Sequence, residues 1–191
     1  MQRSAPAARA IPFVLVFEGP APPIIAFAWA LAPGSSGLQR SPYTPMSQLS
    51  WTDIFTDASH LDFKRLLGLW PKTVSGSVIP IGASAFGDLF FQRPLGNVEK
   101  LDVLVGGVHH AASSFDEFKS LMNSRYWRDV NLLTGGVRLA QSKGLPRKQS
   151  QFFGFAAHPS FSGRMNWASA MPMDAADWHA VCAKTLDGSP R

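Results

Sequence analysis

The sequence predicts an α+β fold: an antiparallel meander sheet centred on residues 77–104, with helices packed mainly on one face. Three observations predict it. Apolar runs at Val78–Ile81, Phe86–Phe91 and Val98–Leu104 are separated by the turn chemistry of Gly82-Ala83-Ser84 and Pro94-Leu95-Gly96-Asn97. Ser114-Phe115-Asp116-Glu117 opens a clear amphipathic helix signal. Hydrophobic residues make up 46% of the 191 residues and include 14 Phe and six Trp, so core material is ample. The middle run is apolar at nearly every position, which predicts a strand covered on both faces.

Residues 1–45 read as a Pro/Ala-rich, poorly ordered extension, and 46–191 as a single α+β domain. In the first stretch, Ile11–Phe17 and Ile24–Ala32 fall short of the roughly 18–20 residues that a membrane helix needs. Prolines at 20, 22, 23 and 33 break any helix across them. A signal-peptide reading rests on Arg3, Arg9 and the small residues Ala28, Ala30 and Ala32; the Pro cluster and Glu18 speak against it. Translation from Met46 is the preferred expectation.

Within the domain the elements follow in order. Ser50 and Asp53 have capping-box spacing, and a helix is expected near 60–69, stopped by Pro71. After the meander, Gly106-Gly107 turns the chain into His109-His110. Neighbouring histidines on a strand point to opposite faces, so they do not chelate one ion, and no metal site is expected. Ser114 caps the next helix, with Phe115, Phe118, Leu121 and Met122 on one side. Two short helices follow over 126–139, with Gly135-Gly136 as the interruption. Gln149–Ala157 is expected as a strand, 158–163 as a loop and 164–170 as a short strand. A helix capped by Asp174 closes the domain near Leu186.

The formal charge of +5 is a mild excess, ordinary for a basic surface. Cys182 is the only cysteine, so an intramolecular disulfide and a Cys-rich zinc site are excluded, and a reducing, cytoplasmic setting is expected. Its Ala and Val neighbours predict a packed thiol. No phosphate-binding Gly-rich loop and no G-x-S-x-G elbow occurs, and no cofactor is expected. Asp88, an acid inside an apolar run, is expected to bond a turn backbone; a catalytic carboxylate is the sharper alternative. Arg138, Lys143, Arg147 and Lys148 form a local basic cluster ahead of Phe152, Phe153 and Phe155, the pattern of a nucleic-acid platform or of a buried strand behind a loop.

Ile79-Pro80-Ile81-Gly82-Ala83-Ser84-Ala85-Phe86-Gly87-Asp88-Leu89-Phe90-Phe91 resembles the pattern I-P-I-A-x-T-A-F-G-D-L-F. That pattern marks the C-terminal domain of type VI secretion immunity proteins, in the SMI1/KNR4-related and GAD-like immunity groups. The resemblance covers about residues 75–187 and includes Ser114–Phe118, Gly154-Phe155-Ala156, Met165-Asn166-Trp167 and Trp178-His179. Phe161-Ser162-Gly163 stands where the family pattern has Leu-Gly-Gly. The resemblance implies a non-enzymatic binding protein that occludes a cognate toxin, possibly a type VI secretion DNase effector. Tyr126, Trp127 and Arg128 are the candidate anchors for that partner. The alternatives are a nucleic-acid-binding or regulatory module using Arg138, Lys143, Arg147 and Lys148, or an uncharacterised hydrolase. A membrane partner is not expected.

Overall fold

The computed structural model describes residues 48–187, and the expectations for residues 1–45 lie outside them. The fold is α+β. In chain order the elements are α1 (Trp51–Ile54), β1 (Phe55–Asp57), α2 (Phe63–Gly68), β2 (Ile79–Ser84), β3 (Leu89–Gln92), β4 (Val98–Leu101) and β5 (Val108–Ala112). Then come α3 (Phe115–Asn123), α4 (Arg125–Asn131), α5 (Thr134–Ser142), β6 (Gln151–Phe155), α6 (Pro159–Ser162), β7 (Ala170–Asp174) and α7 (Ala175–Leu186). Single 3₁₀ turns occupy Ala58–His60 and Trp167–Ser169.

The three-stranded meander forms, but its first turn lies at residues 85–88 rather than at Gly82-Ala83-Ser84, because those three residues pair with β1 and stay in the strand. β2, β3 and β4 pair antiparallel, with Ala83 opposite Leu89 and Phe90 opposite Lys100. β1 and β5 extend it at either edge, giving the order β1-β2-β3-β4-β5. Pro80 is tolerated because β1 pairs only with Gly82–Ser84, so no neighbour on that side asks Pro80 for a donor. A bulge at Ile81 shifts the register between Pro80 and Gly82.

β3 is the centre. Leu89, Phe90 and Phe91 are all 0% exposed, which a strand reaches only when both faces are covered. The Phe90 ring lies 5.3 Å from Phe118 of α3, 6.1 Å from Trp127 of α4 and 5.9 Å from Phe55. α3 begins where its cap predicts: the Ser114 hydroxyl accepts the Glu117 N–H at 3.1 Å, and the Glu117 carboxylate accepts from Ser113.

β6 and β7 form a separate antiparallel pair. It is tied to the meander through Ala85, whose carbonyl accepts the Phe153 N–H at 2.8 Å and whose own N–H reaches Ile54 O. Phe152, Phe153 and Phe155 are buried, so the aromatic triplet is core. α7 then packs its Trp178, His179 and Cys182 inward, and Asp174 caps it through Ala176 and Asp177.

Several boundaries differ from the sequence reading. The strand expected at 164–170 is β7 at Ala170–Asp174, because the Asn166 side chain accepts the Ala168 N–H and bends the chain into a 3₁₀ turn first. The loop expected at 158–163 contains α6, capped by His158. The helix expected at 60–69 shortens to α2, which starts when Asp62 accepts the Arg65 N–H. The break between α4 and α5 falls at Leu132–Leu133, and Gly135-Gly136 lie within α5. Leu133 makes the break by adopting a left-handed backbone, φ 50°.

Candidate functional site

The turn between β2 and β3 gathers the buried polar groups. Ser84 Oγ accepts the Asp88 and Phe86 N–H groups at 3.0 and 3.3 Å and donates to Asp88 Oδ2 at 3.1 Å. Asp88 Oδ1 accepts the Val103 N–H at 3.1 Å. The carboxyl thus bonds turn backbone, as expected, but at Val103 in the loop after β4, while the Ser84 hydroxyl holds its other oxygen. Burial, reinforced by the Asp102 carboxylate, pushes Asp88 up to about 7 against the pull of Lys100. Lys100 and Asp102 pair at 3.1 Å. Burial opposes charge on both, yet Lys100 is raised by Asp88 and Asp102, and Asp102 is lowered by Lys100.

α7 closes the same turn. Trp178 Nε1 donates to Phe86 O at 2.8 Å, and His179 Nε2 donates to Gly87 O at 3.0 Å. His179 Nδ1 accepts from Trp70 Nε1 at 3.1 Å, which fixes the tautomer. Burial lowers His179 to about 4, so the ring is neutral. Gly87 is needed here twice: its φ is 99°, and a Cβ would press on Phe152 and Trp178 at 3.1 Å. His158 Nε2 donates to the carbonyl of the same Val103 at 3.0 Å. Cys182 is buried, and burial followed by the Asp88 charge pushes its thiol up. Sequence reasoning missed His158, His179 and Trp70 as members of this network; their only signal is position within apolar stretches.

The surface offers a second constellation, on α4 and α5. Tyr126 is 80% exposed and Val130, one turn further on, is 54% exposed. Trp127 points the other way, edge-on to Phe118 at 5.7 Å. Arg128 lies 5.3 Å over the Trp51 ring and donates to Met122 O at 3.0 Å. Of the three expected anchors, Tyr126 faces solvent, while Trp127 and Arg128 mount α4 on the core. Beside them an open cleft of about 290 Å³ is lined by Asp129, Leu133, Gly135, Gly136, Leu139 and Trp167.

The four basic residues are used differently from one another. Arg147 turns inward, and its guanidinium donates to Thr56 Oγ1, Gln151 O and Thr52 O at 2.8–3.0 Å. Arg138 reaches Thr134 Oγ1 and lies 3.6 Å from Asp129. Lys143 Nζ donates to Trp167 O at 2.9 Å. Lys148 is exposed. The local sequence cluster therefore separates into a structural staple and three surface cations.

His109 and His110 sit on edge strand β5, where His109 Nε2 donates to Gly106 O at 3.3 Å. Among the described residues, no group of three His, Cys, Asp or Glu is placed to hold a metal ion. No described helix is long and apolar enough to cross a membrane.

No family model and no curated protein matches the chain. Among solved structures, it is similar to the crystal structure of Atu4351 from Agrobacterium tumefaciens, at 16% identity and a TM-score of 0.41. That match covers 63% of this chain and 62% of the other, less than two thirds of its length.

Proposed function

We propose that this chain is an immunity-type protein of the bacterial cytoplasm that binds and occludes a cognate toxin. A type VI secretion DNase effector is the partner that the resemblance of Ile79–Phe91 points to. The observation that carries the reading is the mounting of α4. Trp127 and Arg128 fix the helix to the core, and the opposite side presents Tyr126 and Val130 to solvent. A rigidly held aromatic beside an aliphatic side chain is the kind of anchor that dominates protein interfaces. Asp88, His158 and His179, which could otherwise serve chemistry, spend their polar atoms inside the core. The Gly87-Asp88 turn of the family-like pattern is bonded to α7 and to the loop after β4.

The test is co-expression in bacteria with the toxin encoded by the neighbouring open reading frame, scoring survival. The wild type should protect, and Tyr126→Glu with Val130→Glu should lose protection while keeping its melting temperature. Survival unchanged by that pair would overturn the choice of surface. Submicromolar DNA binding at physiological salt, abolished by replacing Arg138, Lys143 and Lys148, would overturn the function in favour of a nucleic-acid module.

A further inference from the structure

We infer that the cleft between α5 and the Trp167 turn receives an acidic segment of the partner protein, seating one apolar side chain between Leu133, Leu139 and Trp167; this rests on the reading of the chain as a protein-binding module. The cleft is built on fixed parts. Trp167 is held edge-on by Phe86 at 5.6 Å and Phe155 at 5.7 Å. Two adjacent glycines then do opposite things. A Cβ on Gly136 would run into the Trp167 ring, so glycine lets α5 sit directly on the indole. A Cβ on Gly135 would meet nothing within 4 Å, and the open space starts there. Leu133 holds its left-handed backbone at the lip. Any residue with a Cβ is ill suited to that conformation, and strain of this kind gathers at binding sites.

The charges around the cleft choose the occupant. Arg125 lies 3.8 Å and Arg138 3.6 Å from Asp129, and Lys143 is bonded to the Trp167 carbonyl. Three cations thus stand beside two lining residues, Asp129 and Trp167, of a cleft whose lining holds one carboxylate. That carboxylate is already taken by the Thr134 hydroxyl and by the two arginines, which together still outweigh its single charge. An incoming Lys or Arg would meet Arg125 and Arg138, whereas incoming carboxylates meet complementary charge. The apolar walls supply what a bare phosphate backbone would leave unused, so an acidic segment with an aliphatic or aromatic side chain fits both halves of the site.

The probe is an acetylated, amidated hexapeptide Asp-Glu-Leu-Phe-Glu-Asp, titrated into the ¹⁵N-labelled full chain. The amides of Gly135, Gly136 and Leu139 and the Trp167 indole N–H should shift saturably. Affinity should be at least tenfold above that of Lys-Lys-Leu-Phe-Lys-Lys and of Asp-Glu-Ser-Gly-Glu-Asp. Gly135→Leu fills the cleft from an open helical position and should abolish the shifts while the remaining spectrum stays native. Arg125→Glu with Lys143→Glu should weaken binding at least tenfold. Equal binding of the basic peptide, binding unaffected by Gly135→Leu, or stronger shifts of the same signals by a DNA dodecamer would each overturn the inference. Toxin survival is read separately. Protection retained without peptide binding sinks the cleft and spares the immunity reading; peptide binding retained without protection does the reverse.

Discussion

Trp70 Nε1 donates to His179 Nδ1 at 3.1 Å in the middle of the core, joining two residues 109 positions apart. The bond holds the imidazole neutral, with its other nitrogen on Gly87 O. A histidine lowered from 6.5 to about 4 stabilises the fold above pH 6.5, where both states are neutral. That contribution is lost as pH falls through 6.5 toward 4, because only the unfolded chain takes the proton; the loss is about 3 kcal/mol. His179→Gln lacks the titration. Urea unfolding should therefore show the gap between wild type and His179→Gln closing by about that amount from pH 7 to pH 4. A constant gap would mean the ring protonates in place.

Asp88 works in the opposite sense. Its folded value is raised, so stability is present below the unfolded value of 3.8 and is lost as pH rises toward about 7. Asp88→Asn should gain on the wild type between pH 5.5 and pH 8, by about 2 kcal/mol. Unfolding curves at the two pH values measure it, and a gap that stays fixed would show that Lys100 outweighs burial.

Phe90→Ala should cost about 3–5 kcal/mol, because it empties a fully buried position between Phe55, Phe118 and Trp127. A loss below about 1 kcal/mol in chemical denaturation would displace β3 from the centre of the core.

Gly135→Ala and Gly136→Ala should differ in sign. The first adds a methyl in open space within a helix and should gain about 0.5–1 kcal/mol. The second drives a methyl into Trp167 and should cost about 1–3 kcal/mol. Melting temperatures moving in the same direction would refute the contact between α5 and Trp167.

Arg147→Lys should lose about 2 kcal/mol, since a single ammonium cannot span Thr52 O, Thr56 Oγ1 and Gln151 O together. DNA affinity should be indifferent to the change. A lysine variant as stable as the wild type would return Arg147 to the surface.

Much of this was legible. Apolar runs located β2 and β3 and period-two alternation located β4, although the turn between β2 and β3 lies three residues later than the small residues Gly82–Ser84 suggested; side-chain caps at Ser114 and Asp174 located α3 and α7. Asp88 was rightly read as a partner of turn backbone. β1 was hidden because three residues carry no measurable period, and its strand identity comes from pairing with β2. β7 was hidden by Met171-Pro172-Met173, where proline argues against a strand; it survives in a sheet of only two strands. Arg147 looked like part of a basic cluster because sequence proximity does not tell which way a side chain turns. The cleft was invisible for the same reason: Trp167 reaches Gly136 across 31 positions, and the sequence showed the two glycines only as a helix interruption.

The bonds that close the β2–β3 turn also set a clock on synthesis. The Phe86 and Gly87 carbonyls wait for Trp178 and His179, each 92 residues further along the chain. At about 5–20 residues per second, a ribosome needs roughly 5–20 s to cover that distance. For that interval the nascent meander has its strands but lacks α7. A ribosome-stalled chain ending at Met173 should be cut by protease near Phe90, whereas the released full chain should resist. A chain cut short before Trp178 leaves both carbonyls without these partners and is open to chaperones and proteases.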